Sequence, residues 1–419
     1  MARATTASPL AALLLALLLA LAGSEPAAAL SGASDPSIVI GFVATRSGAG
    51  AVAGQDLVDG FALALKQLGG RFSNQEVRVV AADDRGSPEL ARKAISRMIQ
   101  TERLDMVVTA VSPQSLGAMM PALEDAHLFA LNLETPPPAM AGSQCRANMF
   151  TLAPPADGPQ EILGHHLTLE GMRSLLVVAP ESALADLAIK ALKRNFPFDV
   201  TVLHAKHGEA TFTRETSRIA GLQPDAVYVL LRGGMAGAFV RAYDRAGLHG
   251  VIPLYMDADS VARPFLASMG DAALEARSVT DWSPDLDNGG NRRLVGEFES
   301  EFGRPATPWA ARGVDAALLI DSAIKANNGR TGDAESVRAA LRRADFPSVR
   351  GSFHFNHNQQ PVLSYYLQKV GRDARGRLAH ELLTPLAKDW RDPNTAACPL
   401  HWPEEYVPPA PSKPAKKSG

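Results

Sequence analysis

The chain has 419 residues, 46% of them hydrophobic, and a formal net charge of −2. That length and apolar content can build one large core or two medium ones. The near-neutral charge, with acids and bases interspersed rather than in blocks, gives no electrostatic footprint for a nucleic-acid partner.

In chain order, residues 1–29 read as a leader. Arg3 supplies the positive start, "LAALLLALLLALA" over 10–22 the apolar centre, and Ala27, Ala28 and Ala29 the small residues of a cleavage site. Cleavage near Ala29 and export to the periplasm as a soluble protein are expected. The apolar run is shorter than the about 20 residues of a comfortable membrane span; a retained signal anchor is the alternative. No cysteine near the cleavage point supports a lipid anchor, and no later stretch reads as a transmembrane helix.

From residue 38, β-rich runs alternate with helical patterns. Strands are expected at 38–44, 77–84, 106–111, 128–133, 175–180, 199–205, 226–231 and 250–256, several of them nearly continuous apolar runs suited to a sheet covered on both faces. Between them, Leu57, Phe61, Leu65 and Leu68 repeat at helical spacing, as do Leu90, Ala94, Met98 and Ile99. Ser87, Pro88 and Glu89 read as an N-cap, a first-turn proline and a first-turn acid. Alternation of this kind predicts parallel α/β layers. A second α/β set opens near residue 157, after "TLAPPADGPQ" (151–160), so two lobes are expected. Helices dominate 290–343, "GSFHFNHNQQPVLSYYLQKV" (351–370) reads as strand, turn, strand, and the Pro/Lys-rich tail over 403–419 reads as disordered. The only cysteines, Cys145 and Cys398, are an even pair in an oxidising compartment. They are expected to form a disulfide that fastens the C-terminal tail, its long loop contributing about 4–5 kcal/mol in the chain-entropy model before strain. Two buried free thiols are the alternative.

Candidate chemistry starts with "IGFVATRSGAGAVAG" (40–54), where a strand runs into a loop with Gly48, Gly50 and Gly54 before a helix. The spacing is one residue longer than a dinucleotide fingerprint. Asp83 and Asp84 follow the next strand, where a ribose-binding acid could sit, but an exported protein would have to find its dinucleotide outside the cytoplasm. A tight turn bringing backbone amides and Ser47 to a cleft is the better reading. His354 and His357 in "HFNHN" would point apart on a strand and turn, with no Cys or Glu to complete a metal shell. They read as surface histidines, as do the adjacent His165 and His166. There is no Gly-x-Ser-x-Gly elbow, and no metal, cofactor or catalytic residue is predicted.

The order of segments resembles the type I periplasmic solute-binding proteins of ABC importers, in the branch that includes branched-chain amino-acid-binding proteins, over about 37–390. "IVIGFVATRSGAGAVAGQDLVDGFALAL" is similar to the family's opening strand, ligand loop and helix. "VRVVAADDRGSPELARKAISRMI" is similar to its second strand, Asp-rich turn and helix, and "LDMVVTAVSPQS" and "LFALNLETPPP" to its ligand-facing strand ends. "QPDAVYVLLRGGMAGAFVRAYDRAGL" resembles the second lobe's strand and helix. "FGRPATPWAARGVDAALLIDSAI" resembles the helix that runs from a proline to Asp-Ala. The resemblance implies two Rossmann-like α/β lobes joined by crossover hinge strands, 37–155 with 282–358 and 156–281 with 359–395. A ligand would bind between them at strand carboxyl ends, and the closed form would dock on an inner-membrane ABC permease.

Carried over position by position, the resemblance implies a ligand site at Ser47, Ala53, Ser112, Pro113, Gln114, Asn132, Glu134, Thr135, Arg232 and Asp257, with Asp259 in place of Asp257 if the alignment slips. Several positions depart from the family. Pro113 cannot donate an N–H where relatives keep serines, and Ala53 and Arg232 stand where relatives place tyrosines. Arg46 and Glu134 add charge near the cleft mouth. Arg232 reads either as a rim salt bridge or as a guanidinium ready for a carboxylate. The expected ligand is an amino acid, aromatic acid or other small organic acid, and the expected state a monomer. A binding subunit of a membrane sensor and an exported enzyme on the same scaffold are the competing classes.

Overall fold

The computed structural model describes residues 37–402; the expected leader at 1–29 and tail at 403–419 lie outside the described residues. Strand β1 (Ile38–Ala44) is buried along its whole length, because it pairs on both edges and is covered on both faces. β2 (Arg71–Phe72) and β3 (Gln75–Asp83) form a small hairpin, and β4 (Met106–Ala110), β5 (Phe129–Asn132) and β6 (Met149–Thr151) follow. They form one six-stranded sheet ordered β2-β3-β1-β4-β5-β6, parallel except for the hairpin. Between these strands lie α1 (Ala51–Gln67), α2 (Pro88–Thr101), α3 (Pro113–Asp125) and the short α4 (Pro138–Ala141).

After β6 the chain crosses to a second sheet. α5 (Gly158–Leu169), β7 (Ser174–Pro180), α6 (Ala183–Asn195), β8 (Asp199–Ala205), α7 (Thr213–Leu222), β9 (Ala226–Val229), α8 (Gly233–Arg245), β10 (Leu254–Met256), α9 (Arg263–Met269) and β11 (Arg277–Thr280) build it. It crosses back to α10 (Gly289–Phe302), α11 (Pro308–Ala326) and α12 (Ala334–Arg343), then returns through β12 (His354–Phe355), β13 (Pro361–Arg372) and β14 (Leu378–Trp390). The second sheet runs β8-β7-β9-β10-β11-β13, with β12 and β14 also paired to β13. The fold is the two-lobed α/β arrangement expected from the sequence.

α11 returns to the first lobe and crosses α1 so closely that a Cβ on Gly313 would stand 2.2 Å from the Leu57 carbonyl oxygen. Only a residue without a side chain permits that approach. Thr307 and Arg304, just before α11, hold the buried Asp56 of α1 at 2.7 and 2.6 Å. The three crossings between the sheets meet at Arg350, which is 1% exposed at its side chain. Its guanidinium donates to the Leu152 carbonyl on the first crossing (2.8 Å), to Asp281 on the second (2.9 Å) and to Asp315 of α11 (2.7 Å).

Several expectations need correction in detail. The buried stripe of α2 is Ala91, Ile95 and Met98: of the expected set Met98 is buried and Ala94 and Ile99 half-buried, but Leu90 is 38% exposed. The Ser87 cap receives the Leu90 amide, and that fixes the phase of the helix one residue on. The run at 250–256 shortens to β10, because Gly250 turns with positive φ and Pro253 stands directly before the strand. His166 is not a surface histidine: it is buried, its Nε2 3.4 Å from the Tyr255 hydroxyl. His357 is half-buried and meets the Thr395 carbonyl at 3.1 Å. The Cys145–Cys398 disulfide is present, with Cα atoms 5.7 Å apart.

Candidate functional site

In the first sheet β1, β4 and β5 are parallel neighbours, so the loops leaving their carboxyl ends share one sheet edge. The first loop is fastened from behind. Asp83 accepts from the Arg46 amide (2.9 Å) and from the Ser47 hydroxyl (2.7 Å), and Asp84 accepts from the Thr45 hydroxyl (2.7 Å). These bonds hold the Asp83 carboxyl below its ordinary range despite some desolvation. A Cβ on Gly54 would fall 1.9 Å from the Thr45 carbonyl oxygen, so glycine lets α1 start directly against the loop. The acid pair that could have met a ribose is therefore occupied by the protein's own loop. Ser47 and Ala53 stay half-buried at this edge.

At the second loop Ser112 caps α3, accepting from the Ser115 amide at 3.2 Å; Pro113 takes the first helical position and Gln114 is exposed beside it. At the third, Asn132 is fully buried. Its side chain accepts from the Thr109 hydroxyl (3.3 Å) and donates to the Glu134 carbonyl. It therefore shapes the loop from beneath and is inaccessible in this conformation. Thr135 donates its hydroxyl to the Pro154 carbonyl at 3.1 Å.

In the second sheet β9 and β10 are parallel neighbours, and their ends bring Arg232 beside Asp257 and Asp259. An Arg232 amino group lies 3.5 Å from each carboxylate, and its side chain is 67% exposed. The Asp257 carboxylate is the main influence keeping Arg232 firmly charged. Burial pushes the Asp257 carboxyl above its usual range, with Arg232 acting against that.

The two walls sense each other. Burial raises the Glu134 carboxyl from an ordinary 4.5 to about 7, against the pull of Arg312 and Arg232, while Asp259 across the gap adds to the rise. Arg232 thus stands beside Asp257 and Asp259, Glu134 feels the charges of Arg232 and Asp259, Gln114 is exposed at the start of α3, and Asn132 is buried beneath its loop. Sequence reading missed Arg312, which is 3% exposed on α11, donates to the Leu133 carbonyl at 3.4 Å and leaves its Nε without a partner. The signal was available: Arg312 and Asp315 are charges inside the otherwise apolar "PWAARGVDAALLI", and buried charges need partners.

A pocket of about 290 Å³ lies between Arg263, Arg304 and Arg377. Each of these arginines is already paired, with Asp373, with Asp56 and Asp59, and with Glu299 and Asp373. That pocket therefore lacks an unspent charge. Among the described residues no cluster of His, Cys, Asp or Glu could hold a metal ion, and no helix is long and apolar enough to cross a membrane.

No curated protein matches the chain. Solved structures do. An ABC-transporter solute-binding protein from R. palustris, in complex with benzoate, is 24% identical, with a TM-score of 0.76 over 86% of this chain and 99% of that one. A substrate-binding protein from Sphaerobacter thermophilus is 24% identical, with a TM-score of 0.80 over 86% and 100%. A leucine-binding protein from Thermotoga maritima is 17% identical, with a TM-score of 0.71 over 83% and 99%. At these identities the likeness speaks for the fold. The model of the periplasmic binding protein family matches residues 37–376, and the chain belongs to that family.

Proposed function

We propose that this solute-binding protein captures a small organic carboxylate carrying a hydrogen-bond donor, an amino acid or a hydroxylated aromatic acid, and delivers it to an inner-membrane ABC permease. The single observation that carries this reading is the opposition of Arg232 to Glu134. A solvent-reachable guanidinium stands on one wall, with a carboxyl poised near neutrality on the other. Arg232 takes the ligand carboxylate in a bidentate grip, and Glu134, Asp257 and Asp259 receive its ammonium or hydroxyl. Apart from the adjoining chain, no atom of the described residues lies within 4 Å of where a Cβ on Gly233 or Gly234 would stand, which leaves room beside Arg232. The neighbour in complex with benzoate and the one named as a leucine-binding protein support the carboxylate part of this reading.

The lobes in this reading are 37–155 with 282–358 and 156–281 with 359–395, the protein is a monomer of the periplasm, and Ser47, Ser112 and Thr135 line the first wall. Contacts to both walls bias the hinge toward closure; contacts to one wall alone would not. The family is one of solute-binding proteins, not enzymes. The test is a thermal-shift screen of amino acids, hydroxybenzoates and dicarboxylates. A true ligand at about a hundredfold over its Kd stabilises by about 2.7 kcal/mol. Calorimetry of Arg232→Ala with the best compound should then lose at least about tenfold in affinity, about 1.4 kcal/mol. Unchanged affinity removes Arg232 from the site.

A further inference from the structure

The three crossings that meet at Arg350 are not the last passage between the lobes. β14 belongs to the second sheet, paired along its length with β13, yet the chain beyond it ends bonded to the first lobe. Asp392 starts this segment, caps the 3-10 turn Pro393–Ala397 by accepting from the Asn394 amide at 2.9 Å, and is 3% exposed. Thr395 then meets the turn between β12 and β13. Its hydroxyl accepts from Asn356 at 3.1 Å and its carbonyl faces His357 at 3.1 Å. That turn is itself seated on the first lobe, with Asn358 donating to the Ala141 carbonyl (2.7 Å) and Gln359 to the Met149 carbonyl (2.7 Å). Cys398 is bonded to Cys145, which lies between α4 and β6, and Trp402 lies under the Arg342 guanidinium of α12 at 5.3 Å.

This lacing exists in a conformation whose lobes touch elsewhere. Phe265 of α9 meets Trp309 of α11 with ring centroids 6.4 Å apart. Arg375 and Arg377, at the tip of the β13–β14 hairpin, reach Glu299 of α10 at 3.0 and 2.7 Å. Separating the lobes would draw on the segment 391–397, whose only slack is the capped 3-10 turn. We propose that the Cys145–Cys398 bond makes this segment a fourth, covalently closed crossing, which holds the hinge toward the apposed state. The inference needs only the two-lobed fold and is independent of what the cleft binds.

The experiment measures the distance between positions 90 and 184 in the full chain by double electron–electron resonance, with labels on a keto amino acid so that no cysteine is added. Both positions are exposed and follow strand carboxyl ends, one on each lobe. The intact protein is compared with Cys145→Ser/Cys398→Ser, and with folded protein reduced by a water-soluble phosphine, which becomes its oxide while both sulfurs end as thiols. The second sample covers a double variant that fails to fold. The expected result, with no ligand added, is a longer and broader distance distribution and a larger radius of gyration by solution scattering once the bond is gone. An unchanged distribution overturns the proposal, including the case where only Tm falls, since the bond would then be a staple on stability alone.

Discussion

Two places in the molecule set one arginine between two aspartates, and they could hardly differ more in consequence. At the hinge Arg350 is 1% exposed and bonds Asp281 and Asp315 at 2.9 and 2.7 Å. At the cleft Arg232 is 67% exposed and stands 3.5 Å from Asp257 and Asp259. The first arrangement is dry and closed, so each charge depends on the others. The second is loose, its guanidinium open to solvent although Asp257 is only 14% exposed, so the arginine remains free to trade partners. Composition is the same; what decides the role is how many directions remain open to solvent or a ligand. A buried pair whose partner is removed leaves an uncompensated charge, whereas an exposed pair hands its charge back to water.

The largest expected effect is therefore at the hinge. Arg350→Met leaves Asp281 and Asp315 buried without a cation and should cost about 3–5 kcal/mol, read as a lower midpoint of denaturant unfolding. A loss below about 1 kcal/mol would put the hinge arginine in the same class as surface pairs. Glu134 comes next. Its carboxyl is raised in the fold, so its contribution is present in full below the unfolded value and is lost as pH climbs from about 4.5 through about 7. The swing is at most about 3.4 kcal/mol. Glu134→Gln should flatten that part of the Tm-against-pH curve, and an identical slope in the variant would contradict it. Asp392, raised to about 6 by burial, acts in the same direction, so Asp392→Asn should flatten the curve further, leaving the smaller slope of the other buried carboxyls such as Asp257. The smallest effect belongs to Arg232→Ala, which should move stability by less than about 1 kcal/mol even while ligand binding suffers; a large loss would make the cleft arginine a second hinge.

The lobes were legible because strands and helices announce themselves by period. β1 and β8 stand where the sequence put them, and helices fill the stretch 290–343 as expected. The Cys145–Cys398 pair was legible by counting. Phase within a helix was less so, since Leu90 and Ala91 are both apolar and the cap selects between them. The candidate site's parts were legible along the chain only as strand ends and a lone Arg232. What joins Glu134 to Arg312 is a helix that returns more than a hundred residues later, and no local pattern carries that. The buried polar run Asn356, Asn358, Gln359 and Gln360 read as an ordinary turn, because its partners are the Ala141, Arg146 and Met149 carbonyls and the hydroxyls of Thr151 and Thr395, all distant in sequence.

The loop after β1 separates its anchor from its face. Asp83, Asp84 and Gly54 fix the backbone from the protein side, while residues 48–53 carry none of those fastenings apart from the turn itself. Exchanging the exposed Val52 leaves the scaffold's own bonds intact, whereas Ala53 also packs on the core. If the proposed cleft is the binding site, this loop is the natural starting point for retuning the protein as a sensor of a chosen solute.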